Sequence, residues 1–129
     1  MTGDARERGM KIRREVLGDE HVDEAIARTT DDTADFQDLI TRYAWGEIWA
    51  RPGLDRRTRS CITLTALVAQ GREHELAMHI RAALRNGLTR EEIKEVLLQT
   101  AIYCGVPAAI ESFRIARTVF SEVDAVTAG

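Results

Sequence analysis

The stretch Leu54 to Gly87, LDRRTRSCITLTALVAQGREHELAMHIRAALRNG, constrains the chain most, because it reads as two helices meeting at one glycine. Asp55 is placed to cap the first helix, and an apolar run follows that only Thr63 and Thr65 interrupt. Gly71 stands where a helix ends in a left-handed residue. A run with so little polar side predicts a helix buried on most of its circumference. In the second helix Leu76, Ile80, Ala83 and Leu84 form the apolar seam, and helical spacing puts His79 on that same seam, one position before Ile80. Arg72 and Glu75 precede His79 by seven and four residues, within one to two turns on its side of the helix. A titratable imidazole where the core should be has two readings: a core or interface histidine bonded to a backbone carbonyl, or a general acid or base. Spacing alone leaves both open.

The remaining elements are helical too. Asp4–Leu17 predicts a helix ending at Gly18, and 19–28 a short one with Val22, Ala25 and Ile26 inward. Residues 1–3 are expected to fray. The cluster TTDDT at 29–33 breaks the chain, and 34–50 restarts it with Phe36, Leu39, Ile40 and Tyr43 as the seam. The same spacing then reaches Glu47, a carboxylate on an otherwise apolar face. Arg51, Pro52 and Gly53 stop this helix. Thr89 and Glu92 form a capping box that opens a helix with Ile93, Val96, Leu97, Thr100, Ala101 and Cys104 inward. After Gly105, Pro107 suits the first turn of a last helix with Ile110, Phe113, Ala116 and Phe120 on one face and a loose tail from Val123. With no alternating strand pattern, repeat or glycine-rich phosphate loop, the expected fold is all-α with about seven helices.

Composition narrows the function classes. A length of 129 residues suits one domain, with 44 % hydrophobic and 30 % charged residues as in a soluble globular chain. The net charge of -3, with both signs interspersed, gives no electrostatic case for nucleic acid or lipid. Cys61 and Cys104 form no CxxC or metal-ligand spacing and read as small buried hydrophobes in a reducing cytoplasm. No apolar leader or bilayer-length run occurs, so export and membrane residence are not expected.

Three groups stand out as candidates. Trp45 and Trp49 in WGEIWAR pack a core, wall a pocket or anchor a subunit interface. Glu47 between them is either a helix-end carboxylate turned to water, or a buried one paired with a cation or shifted in pKa. Arg56, Arg57 and Arg59 occupy a first helical turn, with Arg51 upstream, where cations oppose the helix dipole and call for anionic partners. Those partners are either carboxylates of this chain or a bound carboxylate. Arg59, in line with Ile62 and Ala66, is the member expected to point inward.

The runs WGEIWARPGLDRRTRS and ITLTALVAQGREHELAMHIRAALRNGLTREEIKEVLLQTAIYCGVPAAIESFRIA resemble the 4-carboxymuconolactone decarboxylases, within the wider alkylhydroperoxidase D-like superfamily. The combination of HxRAALxNG and YxGVPAA makes the resemblance specific, and it runs from about Phe36 to Ala116 within a single domain of residues 1–129. It implies an all-helical fold with a central helix pair, a ring-like homo-oligomer (often a hexamer), no cofactor, and a place in the protocatechuate branch of aromatic catabolism. The superfamily's peroxidases carry CxxCxxxH, which falls here on Arg72, Glu75 and His79, so the thiol pair needed for peroxide reduction is missing. The implied substrate is a lactone dicarboxylate. For it, His79 is expected as the acid, Glu47 as its orienting or relaying partner, and Arg59 as the carboxylate clamp with Arg51 as second choice. Trp45 and Trp49 would form a dry wall, and Arg72 is a further substrate contact. Alternatives are a decarboxylase or isomerase of a related lactone, and a non-enzymatic helical oligomer.

Overall fold

Seven α-helices, with no strand among the described residues, make up the computed structural model, which describes residues 4–128. The chain divides into two compact units, Met1–Arg56 and Arg57–Gly129.

In the first unit α1 spans Ala5–Leu17 and α2 spans Asp19–Ala27. The Asp4 carboxylate caps α1 by accepting from the backbone N–H of Glu7 at 2.8 Å, which satisfies one of the donors left open at a helix start. The third helix, α3 (Ala34–Ile40), runs directly into a π-helical segment, Thr41–Ile48. Its wider turn is evident where the N–H of Trp49 bonds the carbonyl of Ala44, five residues back, at 2.9 Å. This corrects the expectation of one regular helix over 34–50. Phe36, Leu39 and Tyr43 are exposed, and Thr41, Trp45 and Gly46 are buried in their place. The seam already faces outward in regular α3, at Phe36 and Leu39, and the wider turns after Ile40 then set which later residues are buried. Ile26, expected inward on α2, is exposed, and only Val22 is buried there.

The second unit is built around one apolar cluster. Leu64 and Val68 of α4 (Arg56–Gln70) meet Leu76, Ile80 and Ala83 of α5 (Glu73–Arg85), Ile93 and Leu97 of α6 (Arg90–Tyr103), and Ile115, Ala116 and Val119 of α7 (Val106–Ala128). Each fully buried Leu or Ile contributes about 1.5–3 kcal/mol relative to exposure. Gly71 adopts φ 68° at the α4–α5 joint, a conformation open to glycine at little cost. The Thr89–Glu92 capping box forms in both directions, at 2.9 and 3.0 Å.

Three expectations for this unit are corrected. α4 buries only Ser60, Leu64 and Val68, whereas Ile62, Thr65 and Ala66 are exposed, so one stripe rather than most of its circumference is covered. On α7 the buried row is Ala109, Ser112, Ile115, Ala116 and Val119, and Ile110 faces out. From Val123 the chain stays helical to Ala128. Fraying of residues 1–3 lies outside the described residues.

Candidate functional site

In the first unit the π-helical segment sets the order of the candidates. Trp45 is buried, and its ring stacks on that of Trp49 with centroids 5.2 Å apart and planes 28° from parallel. Glu47, between them in sequence, turns the other way. Its side chain is 58 % exposed and pairs with Arg8 of α1 at 3.4 Å, so it does not sit on a buried apolar face as periodicity predicted. Arg51 lies exposed past the helix end, its backbone N–H bonded to the carbonyl of Ile48 at 3.1 Å. Arg8, which sequence reasoning overlooked, also donates from Nε to the carbonyl of Gly46 at 2.9 Å.

In the second unit Arg59 is half-buried on α4, with its Nε atom fully shielded from solvent. Ile62 and Ala66, the row it was expected to share with the core, are exposed, so Arg59 borders the buried stripe instead of lying in it. His79 is half-buried on α5 next to fully buried Ile80, with its Nδ1 shielded from solvent. An imidazole so placed is partly desolvated while keeping one edge accessible, which suits proton exchange with a ligand as well as it suits packing. Arg72 and Glu75 are exposed in and before the first turn of α5. The backbone of Arg72 serves the helix start, its N–H bonding Leu67 O at 3.0 Å and its carbonyl accepting from Leu76 at 2.8 Å.

Ser60 and Asn86, which the sequence did not single out, join the helices that carry Arg59 and His79. The Asn86 side-chain amide donates to the Ser60 hydroxyl at 2.8 Å, and Ser60 is 1 % exposed. Arg57 adds bonds to the Gly87 carbonyl and the Glu92 carboxylate. A half-open cavity of about 410 Å³ lies between α4 and α6, lined by Cys61, Thr65, Val96, Gln99, Thr100 and Tyr103. None of the side chains expected to do chemistry lines it. Cys61 and Cys104 are half-buried against the core and not joined in a disulfide. Among the described residues no three His, Cys, Asp or Glu side chains cluster as metal ligands would.

The described residues form an all-helical fold whose α5 carries a half-buried imidazole and no thiol pair, the features of a small helical protein without dithiol redox chemistry. The chain belongs to the carboxymuconolactone decarboxylase family, which matches residues 34–118. It is 46 % identical over 115 residues to a 4-carboxymuconolactone decarboxylase of Acinetobacter baylyi, covering 89 % of this chain and 86 % of that protein. It is 43 % identical over 115 residues to a nitrosuccinic acid decarboxylase of Metarhizium robertsii, covering 89 % of this chain and 80 % of that protein. A 4-carboxymuconolactone decarboxylase of Pseudomonas putida matches at 49 % over 39 residues, 30 % of this chain and 81 % of that protein.

Proposed function

We propose that this chain is a carboxy-lyase that decarboxylates 4-carboxymuconolactone to the β-ketoadipate enol-lactone and CO2. The observation that carries this reading is the 46 % identity to a 4-carboxymuconolactone decarboxylase over 89 % of the chain. The family match crosses the junction of the two units, which supports treating residues 1–129 as one functional domain.

The substrate supplies its own electron sink, so the chemistry calls for no cofactor. The bond from the ring carbon to the departing carboxyl carbon breaks, and its electron pair moves through the ring alkene onto the lactone carbonyl oxygen. A proton delivered to the ring carbon beside that carbonyl completes the reaction. The protein's task is to hold the spectator acetate carboxylate, stabilise the developing oxyanion and supply the proton. Arg59, with Arg51 as second choice and Arg72 as an outer contact, is the clamp, because guanidinium matches carboxylate in two-point geometry. His79 is the acid. Glu47 orients or relays to it, and Trp45 and Trp49 form an apolar wall that favours losing charge as neutral CO2. The half-burial of His79 and Arg59 supports the first two roles. The exposure of Glu47 and its pairing with Arg8 make Glu47 the least supported assignment.

A ring-like homo-oligomer, with a hexamer as the favoured count, is part of the same reading. It is supported by Ile102, Tyr103, Val106 and Ile110 around the α6–α7 joint, of which Ile102 and Tyr103 are 76 % and 80 % exposed in the single chain. A cytoplasmic location is part of the same reading, since Cys61 and Cys104 form no disulfide-framework or CxxC spacing.

A second reading follows from the 43 % identity to a nitrosuccinic acid decarboxylase. Nitrosuccinic acid is also a dicarboxylic acid that loses CO2 next to an electron acceptor, there a nitro group. Assay of the purified chain for CO2 release from both compounds separates the readings. Preferred turnover of the lactone is expected, preferred turnover of nitrosuccinate transfers the assignment to the second, and turnover of neither overturns both.

A further inference from the structure

The π-helical segment Thr41–Ile48 needs an external hold, because its wide turns are intrinsically less favourable than α-helical ones and such segments are usually brief. Four residues of α1 meet it. Gly9 presses its Cα against the segment so closely that a Cβ there would stand 1.9 Å from the Thr41 carbonyl oxygen and 2.9 Å from the Gly46 nitrogen. These are backbone groups five residues apart, the pair that a π turn brings together. Gly46 answers in kind, since a Cβ on it would stand 2.2 Å from the carbonyl oxygen of Ala5. Arg8 then takes the Gly46 carbonyl at 2.9 Å.

Arg13 is the fourth of these and the least expected residue of the unit. It is 7 % exposed, donates to the Thr41 hydroxyl at 3.2 Å and to the Gln37 side-chain oxygen at 3.1 Å, and its Nε has no hydrogen-bond partner among the described residues. The Thr41 hydroxyl in turn donates to the Gln37 carbonyl at 2.9 Å. Its two acceptors are thus neutral oxygens, and burial pulls its pKa below the ordinary arginine value. A buried guanidinium held by neutral oxygens is costly, so a role in specifying one geometry is the reason to look for. Gly9 likewise stands inside a helix, where glycine costs about 1 kcal/mol relative to alanine.

We propose that α1 is a register clamp for the π-helical segment, with Gly9 and Arg13 as positioning residues that hold the Trp45–Trp49 pair and Glu47 in their observed directions. Relaxation to α-helical register would rotate every later side chain by about 100° per residue of slip, sweeping Trp45 and Glu47 around the helix axis. α1 lies outside the family match of residues 34–118, and none of the relatives' names assigns it a part in function. The catalytic half of the inference rests on the function proposed above; the structural half does not.

The test uses Gly9→Ala in the full chain. Trp45 and Trp49 are the only tryptophans and Trp45 is buried, so tryptophan emission and its quenching by acrylamide report whether the segment keeps its register. The clamp predicts that Gly9→Ala red-shifts the emission and opens it to quenching while overall helical ellipticity is kept. It also predicts that kcat on 4-carboxymuconolactone falls by one to two orders of magnitude, roughly what an ångström of misplacement costs, with KM nearly unchanged. Wild-type emission and quenching in folded Gly9→Ala overturn the clamp, and exposed tryptophan with unchanged kcat overturns its link to the site. Should Gly9→Ala fail to fold, Arg13→Met keeps the volume, removes both hydrogen bonds and is held to the same outcomes. If the wild type turns over no lactone, the proposed function fails while the tryptophan emission still decides whether the clamp exists.

Discussion

The side-chain amide of Asn86, the C-terminal cap of α5, donates to the buried hydroxyl of Ser60 on α4 at 2.8 Å. This bond ties the turn that carries Arg59 to the end of the helix that carries His79, one on each side of the Gly71 joint. Asn86→Ala leaves the Ser60 hydroxyl buried without that donor. The expected destabilisation is about 1–3 kcal/mol, read as a lowered urea midpoint with unchanged slope. An unchanged midpoint would contradict it.

Acid sensitivity follows from exposed carboxylates held below their ordinary range. Glu92 is lowered first by its bond from the Thr89 backbone and then by Arg57. Asp124 is lowered by Arg90, Asp38 by Arg42 and Arg6, and Glu111 by Arg114. A carboxylate with a depressed folded pKa stabilises the fold above its unfolded value, and that contribution disappears as pH falls through the folded value. Thermal melts of wild type and Glu92→Gln should therefore differ most near about pH 7 and converge toward about pH 3, below the ordinary glutamate range. A difference that stays constant across that interval would rule out Glu92 as a source of the acid response.

The exposed apolar group around the α6–α7 joint predicts self-association. Ile102→Glu places a charge among Tyr103, Val106 and Ile110, and light scattering should find a smaller assembly than the wild type forms. Equal masses for the two proteins would remove this surface from the interface.

What could be read from the sequence was what local chemistry decides. Thr89 and Glu92 cap α6 as read, and Gly71 breaks the central pair with a positive φ, because both depend on a few adjacent residues. The seam of Leu76, Ile80 and Ala83 was legible because α5 is a regular helix from end to end. Glu47 was misplaced for a different reason. The seam that leads to it starts at Phe36 and Leu39, which already face outward in regular α3, and the wide turns after Ile40 then shift the phase of every later residue. The contacts of Gly9 and Arg13 that accompany those turns come from a separate helix, where no local pattern announces them. The one-stripe burial of α4 and the outward Ile110 share a cause: apolar residues were assigned to a core within the chain, whereas several of them face outward in it.

The measurement that bears most directly on the proposed chemistry is kcat of His79→Ala on 4-carboxymuconolactone, taken on protein whose melting temperature matches the wild type. If the half-buried imidazole on α5 protonates the ring carbon, kcat falls by about 10²–10⁴-fold, the range that general acid catalysis supplies. A folded His79→Ala that turns over at the wild-type rate would contradict the role assigned to His79.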